Sequence, residues 1–195
     1  EPPIGQKSNE ITLKAKIHTL PTRIVSEYKR AIENAHLKVK RFCLSSYAVC
    51  ELAKFTQGIP DSYILVDMGA EVGDISLIGN QSPYGTVAFD GGGTYIVNKL
   101  IEKYGVTPEV GLSLLTNFGY STRRLSFEPI IYKNNDEENP VEITQSDLNN
   151  LIKEYFENDY FPKFNAAFET LMSGYQDDVK NLPIVFTGGF SKMIG

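Results

Sequence analysis

Apolar and polar residues alternate along 11–19, where Ile11, Leu13, Ala15, Ile17 and Thr19 interleave with Thr12, Lys14, Lys16 and His18. A period of two sets one face on a core and one in water, so this stretch reads as a half-buried strand. The period then lengthens. Ile24, Tyr28, Ala31, Ile32 and Ala35 recur at helical spacing opposite Glu27, Lys29, Arg30 and Glu33, behind Pro21, which suits a first helical turn. Leu37 to Leu44 reads as a strand around Val39 and Phe42. Ser45 or Ser46 can cap a short helix carrying Ala48, Val49, Leu52 and Ala53. Ile64 to Val66 is a continuous apolar run, expected as a buried strand that ends on Asp67. A tight turn over Met68-Gly69-Ala70-Glu71-Val72-Gly73 follows, and Asp74 opens a second strand through Ile78.

Beyond a loop containing Pro83, Tyr84 to Phe89 reads as a third strand. Asp90-Gly91-Gly92-Gly93-Thr94 then leads into a helix over Tyr95 to Tyr104, with Ile96, Val97, Leu100 and Ile101 inward. Thr107-Pro108-Glu109 carries an N-cap, a first-turn proline and a first-turn acid for a helix that ends near Gly119. Phe127, Ile130 and Ile131 form a strand that Pro129 confines to a sheet edge. Asn134 to Asn139 is an exposed acidic loop, and Val141 to Thr144 resumes as a strand. Ser146 is expected to cap a long helix through Leu148, Leu151, Ile152, Tyr155 and Phe156, which Pro162 kinks or breaks. Phe164, Ala167, Phe168 and Leu171 continue the apolar face, and Leu182 to Phe186 reads as a last buried strand before Thr187-Gly188-Gly189.

Strands alternating with helices over 195 residues, 42% of them hydrophobic, predict an α/β fold with a sizeable core. A net charge of −5 without a basic block argues against a nucleic-acid partner. No apolar run approaches the length of a membrane span. Cys43 and Cys50 fit no common zinc spacing with His18 and His36, and read as small core residues in a reduced cytoplasm. The adjacent Arg123 and Arg124 read as surface charges. The chain opens at Glu1 and stops at Gly195, just past an apolar strand and a glycine turn, and is expected to be a piece of a longer protein.

Three glycine turns follow strands, at 69–73, 91–93 and 188–189. Taken singly, each fits an ordinary connection. Together, in an α/β chain, they fall along one edge of the sheet, where ligands bind. Amides in such turns can face a phosphate, and a strand-end carboxylate such as Asp67 can hold Mg²⁺ or a water beside it. A helix entered through glycines, as at Gly92 and Gly93, offers free N–H groups to an anion or a ribose. The reading is a nucleotide cleft.

These residues, in this order, resemble the actin-like ATPase superfamily, and most closely its FtsA cell-division branch. Asp67-Met68-Gly69 through Asp74 is similar to the superfamily's second phosphate motif, and Gly92-Gly93 with Asn98 to its GGxxxxN turn and helix. Thr107 to Gly119 matches the helix that usually follows, and Pro183 to Gly189 with Gly195 resembles the adenosine motif. Glu1 to Gly5, the alternating strand after it, the helix at Ile24 to Ala35 and the run to Ala53 are similar to the small subdomain peculiar to FtsA. The resemblance implies a ribonuclease H-like lobe at 58–195 and part of an FtsA-type α+β subdomain at 1–57. It implies ATP and Mg²⁺ as cofactors. Asp67 would sit near the metal and the attacking water, and Gly69 to Gly73, with Asp74 behind them, would lie against the β- and γ-phosphates. Gly92 and Gly93 would approach the ribose, and Thr187, Gly188 and Gly189 the α-phosphate and adenosine. Acidic and basic residues that often flank adenine are replaced by Leu112 and Leu115. The implied partners are an FtsZ-type filament protein, further copies in actin-like filaments, and the inner face of the cell membrane at the division site, reached through a C-terminal helix that this chain lacks. Little or no ATP turnover is expected from the fragment itself. A pilus-assembly adaptor that binds a short peptide, and a sugar or acetate kinase, are the alternative readings on the same fold.

Overall fold

The structure is a computed structural model that describes residues 17, 19–123, 127–175, 179 and 181–193. The chain divides into two units, residues 1–45 and 46–195. In the first, α1 (Thr22–Asn34) begins where the Pro21 carbonyl accepts the Val25 N–H, and ion pairs Arg23–Glu27 and Lys29–Glu33 lie along its polar side. The alternating strand over 11–19 lies, but for Ile17 and Thr19, outside the described residues. The strand expected at 37–44 does not form: this segment pairs with no described strand, and Leu37 and Phe42 stay in water.

The second unit begins within α2 (Ser45–Ala53) and is built on a four-stranded sheet of order β3-β2-β1-β6. Strands β1 (Tyr63–Met68), β2 (Val72–Gly79) and β3 (Ser82–Asp90) run antiparallel as a meander, and β6 (Ile184–Thr187) joins β1 in parallel. The unbroken apolar run of β1 has a simple cause. Ile64, Val66 and Met68 face the main core, whereas Tyr63 and Leu65 face a second cluster with Cys50 of α2 and Ile78. A strand covered on both faces carries no polar alternation. Pro83 lies inside β3 rather than in a loop, because Asn80 and Gln81, both at positive φ, close a two-residue hairpin. As an edge strand β3 tolerates the missing proline N–H.

Helices α3 (Gly93–Tyr104) and α4 (Pro108–Asn117) pack as a hairpin. Gly105 in the left-handed region ends the first, and the Thr107 hydroxyl accepts the Val110 N–H at the start of the second. Strands β4 (Ile130–Lys133) and β5 (Glu142–Thr144) form a separate hairpin that feeds α5 (Gln145–Tyr155). The cap of α5 is Thr144, not Ser146: Thr144 Oγ1 accepts the Asp147 N–H, and the Asp147 carboxylate accepts the Thr144 N–H at 3.0 Å. Ser146 instead donates to Glu128 through its backbone and its hydroxyl. Pro162 does not break the long helix. A π turn at Phe156–Tyr160 widens it, and α6 (Phe161–Met172) continues with proline in its first turn. The last strand is only partly covered, since β6 is a sheet edge that leaves Ile184 48% and Phe186 57% exposed.

Candidate nucleotide cleft

Strand β1 carries the site. Its register sets Asp67 opposite Asp74 on one side and Thr187 on the other. The two carboxylates thus share one level of the sheet, immediately before the turns that leave β1 and β6. Burial, and then the charge of Asp67 across the ladder, raises the Asp74 carboxyl above its ordinary value.

The turn after β1 is closed by the Gly69 N–H on the Val72 carbonyl at 3.1 Å. Its remaining carbonyls are spent on α3. Glu71 O accepts the Gly91 N–H at 2.9 Å, Gly69 O the Gly93 N–H at 3.4 Å, and Ala70 O the Thr94 N–H at 2.8 Å. The Gly92 N–H donates to the Tyr155 hydroxyl at 2.8 Å. The amides at the start of α3 are therefore not free for an anion, contrary to what its glycine-rich entry predicts. The hairpin carbonyls and one tyrosine take them first. Gly92 allows this approach, because a Cβ there would overlap the Ala70 and Gly69 carbonyls. In the turn itself, no described residue accepts the Ala70 or Glu71 N–H.

The β6 turn makes an equally close pass. Gly188 has φ of +92° and leaves no room for a Cβ against the Asp67 carboxylate and the Met68 carbonyl. Gly189 differs: nothing lies within 4 Å of the Cβ it lacks. It faces a cleft of about 1050 Å³. Gly69, Ala70, Gly93, Thr94 and Gly189 line this cleft, together with Val97, Leu112 and Leu115. Of the residues assigned to a site from sequence, Gly69, Gly93 and Gly189 reach the cleft. Asp67, Gly73, Asp74, Gly92, Thr187 and Gly188 support it without lining it.

Sequence reading missed the loop after α4. Asn149 holds Ser121 at both backbone groups, accepting its N–H at 3.0 Å and donating to its carbonyl at 2.7 Å. Gln145 donates to the Gly119 carbonyl at 2.9 Å, and Tyr120 N–H to Met193 O. Arg123 on this loop is exposed, as a surface charge is expected to be, and it lines the cleft, as Lys192 does. Arg124 lies outside the described residues. Glu128, also in the lining, is held below the usual carboxylate range by the Ser146 N–H and hydroxyl. No periodicity marks these residues, because each acts through a partner far along the chain. Nor does any spacing reveal that Tyr155, legible only as helix core, caps Gly92.

No protein-family model and no curated protein sequence matches the chain. Solved structures do. MreB5 of Spiroplasma citri bound to AMPPNP superposes with a TM-score of 0.58 at 11% identity, over 89% of this chain and 62% of that one. A non-polymerising MamK mutant bound to AMPPNP gives 0.51 at 22% identity, over 68% and 43%. The ethanolamine utilization protein EutJ from Carboxydothermus hydrogenoformans gives 0.56 at 17% identity, over 85% and 48%.

The fold is actin-like.

The chain thus spans less than two thirds of the length of each of these proteins. The likeness is one of fold, and it agrees with the α/β reading and with the actin-like architecture that the order of motifs implies. In this actin-like arrangement the residues present suit a nucleotide. An open glycine beside the cleft, an amide of the β1 turn without an acceptor among the described residues, and an apolar wall are what a base, a ribose and a phosphate tail require.

Proposed function

We propose that the chain is a nucleotide-binding part of an actin-like cell-division scaffold of the FtsA type. It would take ATP with Mg²⁺, associate with further copies into filaments, and belong to a protein that links FtsZ filaments to the inner face of the membrane. The observation that carries the nucleotide reading is the meeting of the β1, α3 and β6 glycine turns at one end of the sheet, where Gly69, Gly93 and Gly189 line one large cleft. AMPPNP and ADP in the MreB5 structures, and AMPPNP in MamK, support it by analogy of fold. The division role rests on the similarity of residues 1–53 to the FtsA subdomain.

In this reading the Ala70 amide faces a phosphate oxygen and Gly189 lets the adenosine lie against backbone. Leu112 and Leu115 offer the base an apolar surface without hydrogen bonds. Asp67 would hold a water of the metal rather than the metal itself. Bound Mg²⁺ would neutralise phosphate charge beside the Asp67–Asp74 pair. The test is calorimetry of the chain with Mg·ATP, beside Asp67→Ala. The expected result is binding by the native chain and a fall of about tenfold or more in Mg²⁺-dependent affinity in the variant, the usual cost of losing a group that orients a metal's ligands. No heat of binding with the native chain would overturn the nucleotide reading. Co-sedimentation of the longer protein with FtsZ filaments tests the division role, and no pelleting above background would sink it.

A further inference from the structure

The 3₁₀ turn Gly189–Met193 that follows β6 carries two stripes of side chains, because residues three apart eclipse on such a turn. Phe190 and Met193 form one stripe, and both are buried. Gly189 and Lys192 form the other, and both line the cleft. Gly189 has nothing within 4 Å of the Cβ it lacks, so the lysine stands above open backbone. Lys192 is exposed and forms no ion pair with any described residue. The turn that carries it is fixed at both ends. The Ser191 hydroxyl donates to Gly188 O at 2.7 Å, and Met193 O accepts the Tyr120 N–H at 3.1 Å.

Helix α4 supplies the neighbouring wall. A Cβ on Gly93 would stand 3.3 Å from the Phe190 ring and 3.4 Å from Leu115 Cδ2, so the 3₁₀ turn and α4 both close on the same glycine. Pro108, Leu112 and Leu115 line the cleft as one helical stripe, four and then three residues apart. The polar residues that α4 adds to the lining are turned back on the helix. Thr116 Oγ1 donates to Leu112 O at 2.9 Å, and Asn117 Nδ2 to Ser113 Oγ at 3.0 Å. For a flat base in this corner, α4 and the turn thus offer partners to its faces: an apolar stripe and an ammonium.

We propose that Lys192 is a specificity-determining residue of the nucleotide site, its ammonium lying over one face of a purine base whose other face rests on Leu112 and Leu115. The inference rests on the nucleotide reading and names its substrate class: purine nucleotides, adenine and guanine alike. A cation is drawn to the electron-rich face of an aromatic ring, and a fused purine offers more of that face than uracil does. A site that reads faces has little basis for separating adenine from guanine, since strong discrimination of that kind comes from polar partners placed at the edge.

The experiment measures Mg·ATP, Mg·GTP and Mg·UTP affinity by calorimetry for the native chain, Lys192→Met and Lys192→Arg, with thermal unfolding of each. Lys192→Met keeps a long stem and removes the charge, and at an exposed, unpaired position it should melt with the native chain. The native chain is expected to bind ATP and GTP within about threefold of each other and UTP more weakly. Lys192→Met should lose about fivefold in affinity for ATP and GTP, the effect of a partly exposed cation over a ring, and little for UTP. Lys192→Arg should restore purine affinity, because a guanidinium also stacks on a ring. An equal loss for all three nucleotides would mean that the ammonium meets a phosphate, and would overturn the proposal. So would native affinities in Lys192→Met, or a preference of more than about tenfold between ATP and GTP. Each of these leaves the nucleotide reading intact. Absence of binding of all three nucleotides by the native chain would overturn both.

Discussion

Gly92 and Gly189 have opposite reasons for lacking a side chain, and alanine separates them. At Gly92 the added Cβ meets backbone carbonyls that already accept the α3 amides and cannot step aside. Gly92→Ala is expected to cost about 1–3 kcal/mol, read by chemical denaturation. Gly189→Ala has open space and should stay within about 0.5 kcal/mol of the native chain. If the cleft takes a nucleotide, however, that methyl stands where the ligand lies, and calorimetry should show weaker ATP binding. Asp74 supplies a pH test. Its carboxyl is raised by burial and by Asp67, so the stability it contributes is fully present below the ordinary 3.8 and is lost as pH rises through the elevated folded value. Asp74→Asn should leave the melting temperature unchanged at strongly acidic pH and raise it at pH 7. Solvent reaches the group, which holds the gain to below about 1 kcal/mol. The Asp67–Asp74 pairing was legible because a short glycine turn between two strands leaves little choice of register. The Tyr155–Gly92 bond was not, since its partners are 63 residues apart and one of them is a backbone amide.

Most elements were legible, and the misreadings share a cause at their boundaries. Thr144 ends β5 and caps α5 at once, so a reading that spends it on the strand looks one turn too late for the cap. Thr144→Ala is expected to lower stability by about 1 kcal/mol, with Ser146→Ala costing less, measured as shifts in denaturant midpoint. The Asn80-Gln81 turn lacks the glycine that usually announces a two-residue hairpin, so Pro83 passed for loop when it belongs to β3. Pro162 does remove an N–H, yet the cost is absorbed by widening one turn instead of ending the helix. Propensity registers the proline and not the tertiary packing of Phe156 on Phe190, stacked at 5.6 Å, that helps hold the helix in place.

At the scale of the molecule, the α/β class was legible from strands alternating with helices, and the actin-like fold from the family resemblance that the ordered motifs carry, none of them decisive alone. The cleft's composition was less so, because the loop with Ser121 and Arg123 is placed by Asn149 and Gln145 rather than by its own pattern. The exposed edge of the sheet was not legible at all: an apolar run looks the same on an edge as in a core. Phe186→Lys should therefore raise the concentration at which light scattering first appears, by placing charge on an open strand. The carbonyls of the β1 turn that hold the amides of α3 have a consequence in time. Gly91, Gly93 and Thr94 cannot lose their protons to solvent unless the turn lets go of the helix. Hydrogen exchange at these positions is thus a clock for the opening of the hairpin. A ligand that clamps the turn should slow all three amides together and by the same factor.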